Sequence, residues 1–317
     1  MLNRLYRELY RIRRVEEEIA RVYPTDRIKS PVHLSIGQEA VSVGISEALA
    51  PDDIVYGTYR GHALYLARGG SLPRMIAELY GKITGCARGK GGSMHLIARD
   101  QGVMGMSAVV GTTIANATGH AYALKLRKEN RIVACFFGDG ATEEGVFFES
   151  LNFAALKKLP ILFVCENNGY AIHTAQHQRQ ARLNIQEKAE VFGVPGACLD
   201  SSNFLELIES SREYVNEIKG GKGPRFLEVK TYRWREHVGP GTDFHLGYRT
   251  EDEATPWIEN DVVAQIRRML NDRECEQIER QVEQEIIEAF AFAEDSPYPD
   301  ETELLTDVYG ELNVCQR

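Results

Sequence analysis

Residues 138–174, GDGATEEGVFFESLNFAALKKLPILFVCENNGYAIHT, contain two small polar clusters, each preceded by an apolar run. The first cluster, Gly138-Asp139-Gly140, follows residues 132–137, and the second, Asn167-Asn168, follows residues 161–165. A helix-like segment separates the two runs, and neither run alternates with polar residues. This pattern is typical of parallel strands buried on both faces. It predicts an α/β fold in which helices cover both faces of a parallel sheet.

The two polar clusters are candidates for a common site. Ligands of open α/β sheets bind beyond the carboxyl ends of the strands, so Asp139 and Asn168 are expected on one edge of the sheet. A carboxylate and an amide oxygen suit Mg²⁺, which takes few protein ligands and adds phosphate oxygens and water. Glycines and a helix beginning near Glu143 can bring backbone amides to a phosphate. Taken singly, each cluster is explained more simply as a turn or a helix cap.

The remaining pattern predicts one domain over residues 1–317. Apolar residues at spacings of three and four predict an amphipathic helix within an N-terminal arm, about 1–24, whose apolar face docks onto other chains. Residues of about 31–250 form the predicted core. Glycines are frequent between 81 and 111, which suits irregular backbone close to a ligand. The charged tail, about 255–317, is predicted to be helical and peripheral.

The composition argues against two classes of partner. A net charge of −9 and a pI near 5.5 argue against broad nucleic-acid binding. No apolar run approaches the roughly 18 residues of a membrane span, and the charged N-terminus lacks a signal-peptide core. We therefore expect a cytoplasmic protein. The six cysteines form no CxxC pair and are expected to be reduced.

Several longer motifs resemble the α subunit of the thiamin diphosphate (ThDP)-dependent 2-oxoacid dehydrogenase E1 component, of the pyruvate, acetoin and branched-chain type. GDG followed by NN, each after a strand, resembles the ThDP-binding motif. HLSIGQEAV, YRGHALYLARG, RGKGGSMHL, GKGPRFLEVKTYR and YRTEDE extend the resemblance, in the expected order, over roughly residues 5–260. The resemblance implies ThDP and Mg²⁺ as cofactors.

The resemblance also assigns residues. The metal ligands are Asp139, Asn168 and the carbonyl of Tyr170. Gly102 contributes backbone to the aminopyrimidine ring, and Met104 is the apolar wedge that bends the cofactor. Contacts with the cofactor are implied for Tyr59, Arg60, Gly102, Met104, Gly138, Asp139, Gly140, Ala141, Asn168 and His237.

Two histidines are the predicted catalytic residues. His237 occupies the place of the family's active-site loop histidine in WREHVGPGTD, and His62 follows the Tyr-Arg pair in the matching place. Val238 replaces the serine that is phosphorylated in mitochondrial relatives, so regulation by that route is not expected. His173 and His177 form H-x-x-x-H without the glutamate of a zinc protease, and we predict no zinc site there.

The implied activity is decarboxylation of a pyruvate-like 2-oxoacid and transfer of its acyl group to a lipoyl acceptor. The implied partners are an E1 β subunit in an α₂β₂ heterotetramer, which supplies the glutamate that activates ThDP, and a lipoyl-bearing E2 component. Two alternatives stay open. One is a two-subunit acyloin-forming or transketolase-like ThDP enzyme without a lipoyl complex, and the other is a non-catalytic subunit that keeps only the fold.

Overall fold

A six-stranded sheet, parallel throughout, organises the chain in the computed structural model, which describes residues 1–307. The strand order is β2-β1-β3-β4-β8-β7, and a small antiparallel hairpin, β5-β6, stands apart from the sheet. The strands are β1 Ile54–Thr58, β2 Val103–Ser107, β3 Val133–Gly138, β4 Ile161–Asn167, β5 Tyr170–Ala171, β6 Thr174–Ala175, β7 Gly196–Asp200 and β8 Arg225–Lys230. The predicted parallel α/β fold is confirmed.

Helices cover both faces of the sheet. They are α1 Leu2–Val22, α2 Glu39–Ala48, α3 His62–Ala67, α4 Leu72–Leu79, α5 Thr112–Leu126, α6 Gly145–Lys157, α7 Gln176–Arg179, α8 Ile185–Val191, α9 Phe204–Lys219, α10 Glu251–Glu259, α11 Val262–Arg268 and α12 Asp272–Asp295. The glycine-rich segment that the sequence predicted to be irregular includes β2, which pairs with β1 as an edge strand.

Alternate residues of the central strands pack into two separate cores. Ala134 and Phe136 of β3 belong to the larger cluster, whereas Val133, Cys135 and Phe137 belong to the smaller one. Successive side chains of a strand point to opposite faces, so an unbroken apolar run requires apolar cover on both sides. The helices provide that cover, which is why these strands read as continuous apolar runs.

The N-terminal helix α1 is part of the main core and is not an arm for another chain. Its apolar stripe is almost completely buried within this chain, at Leu5, Leu9, Ile12, Val15 and Ile19. Its polar face binds α12 through ion pairs such as Arg11 with Glu285 at 2.6 Å and Arg14 with Glu283 at 2.7 Å. The prediction that this apolar face docks onto other chains is therefore wrong, because α2, α3, α11 and α12 of the same chain pack around α1 and bury it.

The C-terminal tail is helical as predicted over the described residues, but it is not peripheral. Val282 and Ala289 of α12 are fully buried in the same core cluster as α1. The sequence misled because α12 is strongly charged on its outer face, and that charge is solvated or paired with α1. Residues 308–317, the end of the predicted tail, lie outside the described part of the chain.

The structure describes five of the six cysteines, and it also bears on the expectation of no membrane span. Cys86, Cys135, Cys165, Cys198 and Cys275 are free thiols, and burial raises the pKa of Cys86 to about 11. Cys315 lies outside the described residues. Among residues 1–307, none of the helices is long and apolar enough to cross a membrane.

Candidate active site

A cavity of about 210 Å³ opens where the sheet reverses its strand order, between β1 and β3. In open parallel sheets the connections at this point leave in opposite directions, so a crevice forms beyond the carboxyl ends of the strands. The lining includes residues that follow β1 and β3, the beginning of α5 and the β5-β6 hairpin: Thr58, Tyr59, Val109, Val110, Gly111, Gly138, Gly140, Ala141, Glu144 and Ile172. The site's position thus follows from the topology.

Two glycines keep the β3 side of this cavity open. A side chain on Gly138 would point into empty space, and one on Gly140 would approach the Ala171 side chain to 2.9 Å. Gly111 caps α5 with a φ of +81°, so the amides of a 15-residue helix begin at the cavity wall. Backbone amides at a helix N-terminus favour an anion. This side of the cavity therefore suits a phosphate group.

The three predicted metal ligands lie along the same edge. Asp139 directly follows β3, and Asn168 directly follows the neighbouring strand β4, whose Glu166 is paired with Gly138. The Asn168 Oδ1 atom accepts a hydrogen bond from the Tyr170 amide at 3.2 Å, and its Nδ2 atom donates to Gln38 Oε1 at 3.0 Å. This orientation leaves an amide-oxygen lone pair for a cation. A carboxylate and an amide oxygen at one edge match the ligands of Mg²⁺.

The two asparagines of the pair have different roles in the fold. Asn167 is buried, and its Nδ2 atom donates to Glu228 Oε1 at 2.7 Å. Its Oδ1 atom accepts the Gly169 amide at 3.0 Å, which forms the turn. Asn167 therefore fixes the turn to β8, and Asn168 is the residue presented at the edge.

Arg179 is the cationic partner of Asp139. Its guanidinium pairs with the carboxylates of Asp139 and Glu143, and its side chain is 10% exposed. A metal ion at Asp139 would compete with this guanidinium. The residues present fit a magnesium–diphosphate group, provided that Arg179 gives up part of its contact.

A cluster of three rings stands beside the cavity. The His33 ring lies 4.4 Å from Tyr59 and 5.2 Å from His237, measured between ring centroids, and Tyr59 lies 5.6 Å from His237. His33 is 7% exposed, and its buried Nδ1 atom has no hydrogen-bond partner among the described residues. A buried polar atom without a partner is uncommon, and a water, an ion or a ligand can satisfy it.

Arg60 ties this cluster to the backbone. Its guanidinium donates to the Leu34 carbonyl at 2.6 Å and to the His237 carbonyl at 3.2 Å. It is thereby held between the segment that carries His33 and the loop that carries His237. Burial raises the pKa of nearby Glu166 to about 7, and the positive charge of Arg60 opposes that rise.

The loop that carries His237 is anchored by a buried carboxylate. Asp243 is paired with Arg233 at 2.8 Å and with Arg249 at 2.6 Å. Arg249 also donates to the backbone carbonyls of Arg233 and Arg235 at 2.7 and 2.8 Å. Burial opposes ionisation of Asp243, but hydrogen bonds from the two arginines and Tyr248 hold its pKa below the usual value. This network fixes both ends of the loop.

The two site histidines are neutral near physiological pH. Burial lowers the pKa of both His33 and His237 to about 3, and the positive charge of Arg60 adds to the effect. Neutral imidazoles can donate from one ring nitrogen and accept at the other.

This neutrality predicts a pH dependence of stability. The folded-state pKa values lie below the ordinary 6.5, so the folded protein binds fewer protons than the unfolded chain. Stability from these groups is complete above pH 6.5 and is lost as the pH falls below it. We expect the thermal midpoint of the cofactor-free protein to decrease as the pH is lowered from 6.5 to about 5. This interval lies above the pH range in which the titration of carboxylates dominates the change in stability. A His33→Asn, His237→Asn double variant should show a smaller fall, and an equal fall would contradict this origin.

The family follows from sequence comparison. The sequence model of the family described as dehydrogenase E1 component matches residues 7–302. The chain belongs to the dehydrogenase E1 component family. It is 36% identical over 310 residues to the alpha subunit of acetoin:2,6-dichlorophenolindophenol oxidoreductase from Bacillus subtilis (strain 168), covering 96% of this chain and 92% of the relative. It is 38% identical over 313 residues to the pyruvate dehydrogenase E1 component subunit alpha of Porphyra purpurea, covering 95% and 90%.

A third relative, the pyruvate dehydrogenase E1 component subunit alpha of Rhizobium meliloti (strain 1021), is 36% identical over 310 residues, covering 96% of this chain and 88% of the relative. The chain is thus an E1 alpha-type oxidoreductase chain of the 2-oxoacid dehydrogenase class. The family generally uses ThDP and Mg²⁺, and the alpha designation implies a beta partner.

In this E1 chain, two of the predicted cofactor contacts lie away from the cavity. The Gly102 carbonyl accepts the Val55 amide at 2.8 Å within the sheet. It stands at the amino end of β2, at the opposite edge from Asp139. Met104 lines a separate cavity of about 530 Å³ with Tyr65 and Arg74. The structure does not support the predicted aminopyrimidine role of Gly102 and Met104, because a parallel strand places its first residues far from the site.

The apolar residues at the E1 cavity are others, which sequence reasoning missed. Val109 and Val110 are 62% and 45% exposed, and both line the cavity just before Gly111. Ile172 lines the opposite wall with a φ of +54°, which is strained for a β-branched residue. The pair Val109-Val110 directly before Gly111 was the available signal for the first two. Nothing local distinguished Ile172.

The histidines near the cavity differ from the two that the sequence predicted. His62 is fully buried, and both of its ring nitrogens are bonded, to Glu16 and Ser93. It does not line the cavity, so its predicted catalytic contact with substrate is not supported. His33, which the sequence did not single out, stands beside Tyr59 and His237 instead. Its signal was its place in HLSIGQEAV, one of the motifs that carried the resemblance.

Proposed function

We propose that this chain is the alpha subunit of an E1 enzyme that binds ThDP and Mg²⁺, decarboxylates a pyruvate-like 2-oxoacid and passes the acyl group to a lipoyl acceptor. The observation that carries the proposal is the cavity at the β1–β3 switch point, flanked by Asp139 and Asn168 and by the three-ring cluster. Its partners would be a β subunit in an α₂β₂ assembly and a lipoyl-bearing E2 component.

The chain's own residues would hold and orient the cofactor. Asp139, Asn168 and the Tyr170 carbonyl would bind Mg²⁺, and amides of Gly140, Ala141 and the beginning of α5 would bind the diphosphate. Tyr59 and Arg60 would add donors, since a guanidinium fork suits phosphate oxygens. When bound, ThDP supplies the nucleophilic carbon and the electron sink for decarboxylation. Val110 and Ile172 would shield the reacting end from water.

The ring cluster would act on the substrate. A neutral His237 can donate a hydrogen bond to the substrate's keto oxygen or carboxylate and can accept or return a proton there. His33, whose Nδ1 atom is buried without a partner, can supply a second polar contact on the same side. The Asp243 network would keep the His237 loop in place while the substrate binds.

The acceptor separates the main proposal from its alternative. An acyloin-forming or transketolase-like enzyme would use the same cofactor site without a lipoyl partner. The relative from Bacillus subtilis is described as an acetoin oxidoreductase alpha subunit, which favours keeping acetoin among the substrates to be tested. A non-catalytic subunit is disfavoured, because both proposed metal-binding side chains and both site histidines are present at one edge.

The proposal is tested by expressing this chain with and without a candidate E1 β-type subunit, sought among the genes of the same organism. Each preparation receives ThDP, Mg²⁺, a panel of 2-oxoacids and acetoin, and an artificial electron acceptor. We expect turnover of a 2-oxoacid only when both chains are present, and acyl transfer to a lipoylated domain in the complete system. Turnover of acetoin or a sugar alone would favour the alternative.

Full activity of the chain by itself would contradict the shared site. Glu144 is the carboxylate-bearing residue that lines the described cavity, and it would then be the candidate for the activating acid. A Glu144→Gln variant would decide between an internal and a partner-supplied carboxylate.

A further inference from the structure

His62 belongs to a buried chain of hydrogen bonds that the cavity does not include. Its Nδ1 atom lies 3.2 Å from Glu16 Oε1, and its Nε2 atom lies 2.8 Å from Ser93 Oγ. Glu16, His62 and Ser93 are each fully buried. They come from α1, the beginning of α3 and the 3₁₀ turn Gly92–Met94, three segments that are distant in sequence.

With Glu16 ionised and the His62 ring neutral, the donors and acceptors along these hydrogen bonds have one order. A carboxylate only accepts, so the Nδ1 hydrogen of His62 donates to Glu16. The Nε2 atom then accepts from the Ser93 hydroxyl. The arrangement has the residue types of a serine–histidine–acid triad, but all three residues are fully buried and none lines the cavity at the β1–β3 switch point. The group therefore acts on the fold around it.

The Glu16 end of these hydrogen bonds is connected to the candidate site. The Glu16 Oε2 atom accepts the Ser35 amide at 2.6 Å. Ser35 follows Leu34, whose carbonyl accepts a hydrogen bond from Arg60 at 2.6 Å, and Leu34 follows His33. Glu16 thus fixes the backbone that carries the His33 ring and holds the Arg60 guanidinium. His62 itself stands two residues after Arg60, so its hydrogen bonds also hold the backbone that carries Arg60.

The Ser93 end of these hydrogen bonds is held in place by the backbone around it. The Glu78 carboxylate accepts four backbone amides of the glycine-rich segment: Ala87 at 2.7 Å, Gly89 at 3.0 Å, Gly91 at 2.7 Å and Gly92 at 3.1 Å. Ser93 comes directly after these residues, and its amide donates to Ser30 Oγ at 2.8 Å. The glycine-rich segment is therefore folded around a buried glutamate, and it presents the Ser93 hydroxyl to His62 from a fixed position.

We propose that Glu16, His62 and Ser93 form a positioning relay that sets Arg60 and His33 for cofactor binding. This inference rests on the proposed function, since Arg60 and His33 matter through the bound ThDP. The relay contacts neither cofactor nor substrate. Its effect is to hold the segment of residues 33–35 and Arg60 in the orientation that the cavity requires, before the cofactor arrives.

The test compares Ser93→Ala with Ser211→Ala in the assembled αβ enzyme. Ser211 of α9 is also fully buried and donates to a backbone carbonyl, that of Leu207, at 2.6 Å, so its substitution removes a buried hydroxyl from an element outside the relay. We expect Ser93→Ala to weaken ThDP binding about three- to tenfold, the change that corresponds to one buried hydrogen bond. At saturating ThDP, kcat should stay within about twofold, since the groups at the reacting atoms remain. Ser211→Ala should leave both values unchanged.

Two other results would overturn the relay. If His62 acted on the substrate directly, His62→Gln would lower kcat at saturating ThDP by about 10²-fold, the scale of a lost acid or base, with ThDP affinity unchanged. If the three residues served stability alone, Ser93→Ala would lower the thermal midpoint while the folded protein bound ThDP normally. His62→Gln is the conservative variant, because its amide can still donate to Glu16 and accept from Ser93, and it should keep most of the ThDP affinity.

A second readout does not depend on the cofactor. Amide hydrogen exchange at Ser35 should be faster in Ser93→Ala than in Ser211→Ala, because the relay holds the acceptor of that amide. If the unmodified enzyme failed to bind ThDP, the proposed function would fall, and exchange at Ser35 would still decide whether the relay exists. Equal exchange in the two variants would remove it.

Discussion

The Asp139→Ala variant is expected to lose Mg²⁺-dependent ThDP binding to below detection. Asp139 would contribute the negatively charged ligand of the metal, and a hard cation at a diphosphate depends on such an oxygen. Asn168→Ala should weaken binding as well, because its amide oxygen is the second side-chain ligand. Calorimetric titration of the αβ protein with ThDP, at several Mg²⁺ concentrations, measures both effects.

The control for this experiment is Asp200→Ala. Asp200 ends β7 at the same edge of the sheet, and its carboxylate accepts the Ser202 amide at 2.8 Å without facing the cavity. It should leave ThDP affinity unchanged. Asp139→Ala also leaves Arg179 without its buried partner, so Asp139→Asn is needed as a variant that keeps the side chain's shape. Unchanged ThDP affinity in both Asp139 variants would remove the metal assignment.

The His237→Ala variant is expected to fold and bind ThDP but to lose turnover by about 10²-fold or more, the usual contribution of a positioned acid or base. The loop is held by Asp243 with Arg233 and Arg249, and Arg60 binds the His237 carbonyl, which the substitution keeps. The loss should therefore appear in decarboxylation and acyl transfer. Single-turnover kinetics with the identified 2-oxoacid would measure it.

His245→Ala is the matched control, because His245 is exposed on the same loop and does not line the cavity. It should keep near-native turnover. A His237→Ala enzyme that also kept near-native decarboxylation and acyl transfer would show that this ring takes no part in the chemistry. The neighbouring His33 would then be the next residue to substitute.

The local sequence pattern predicted the central strands of the sheet but not the edge strands. The apolar runs before Gly138 and Asn167 were predicted as strands, and β3 and β4 occupy them. Each side of these strands is buried by helices, so the run has no polar interruption and is easily recognised. In contrast, β2 and β7 were not predicted. Edge strands are buried less regularly, and the glycines of β2 weaken its pattern.

The sequence by itself determined the fold class, the family and the position of Asp139 and Asn168 at the ends of two strands. These depend on local order: an apolar strand, a turn and a helix dictate their own geometry. Only the tertiary structure decided that α1 and α12 cover each other, that His33 and not His62 stands beside the cavity, and that Val110 rather than Met104 lines it. The order in which strands lie side by side is set by long-range packing. A residue's distance from the site depends on that order and on the strand end it occupies, neither of which a linear pattern contains.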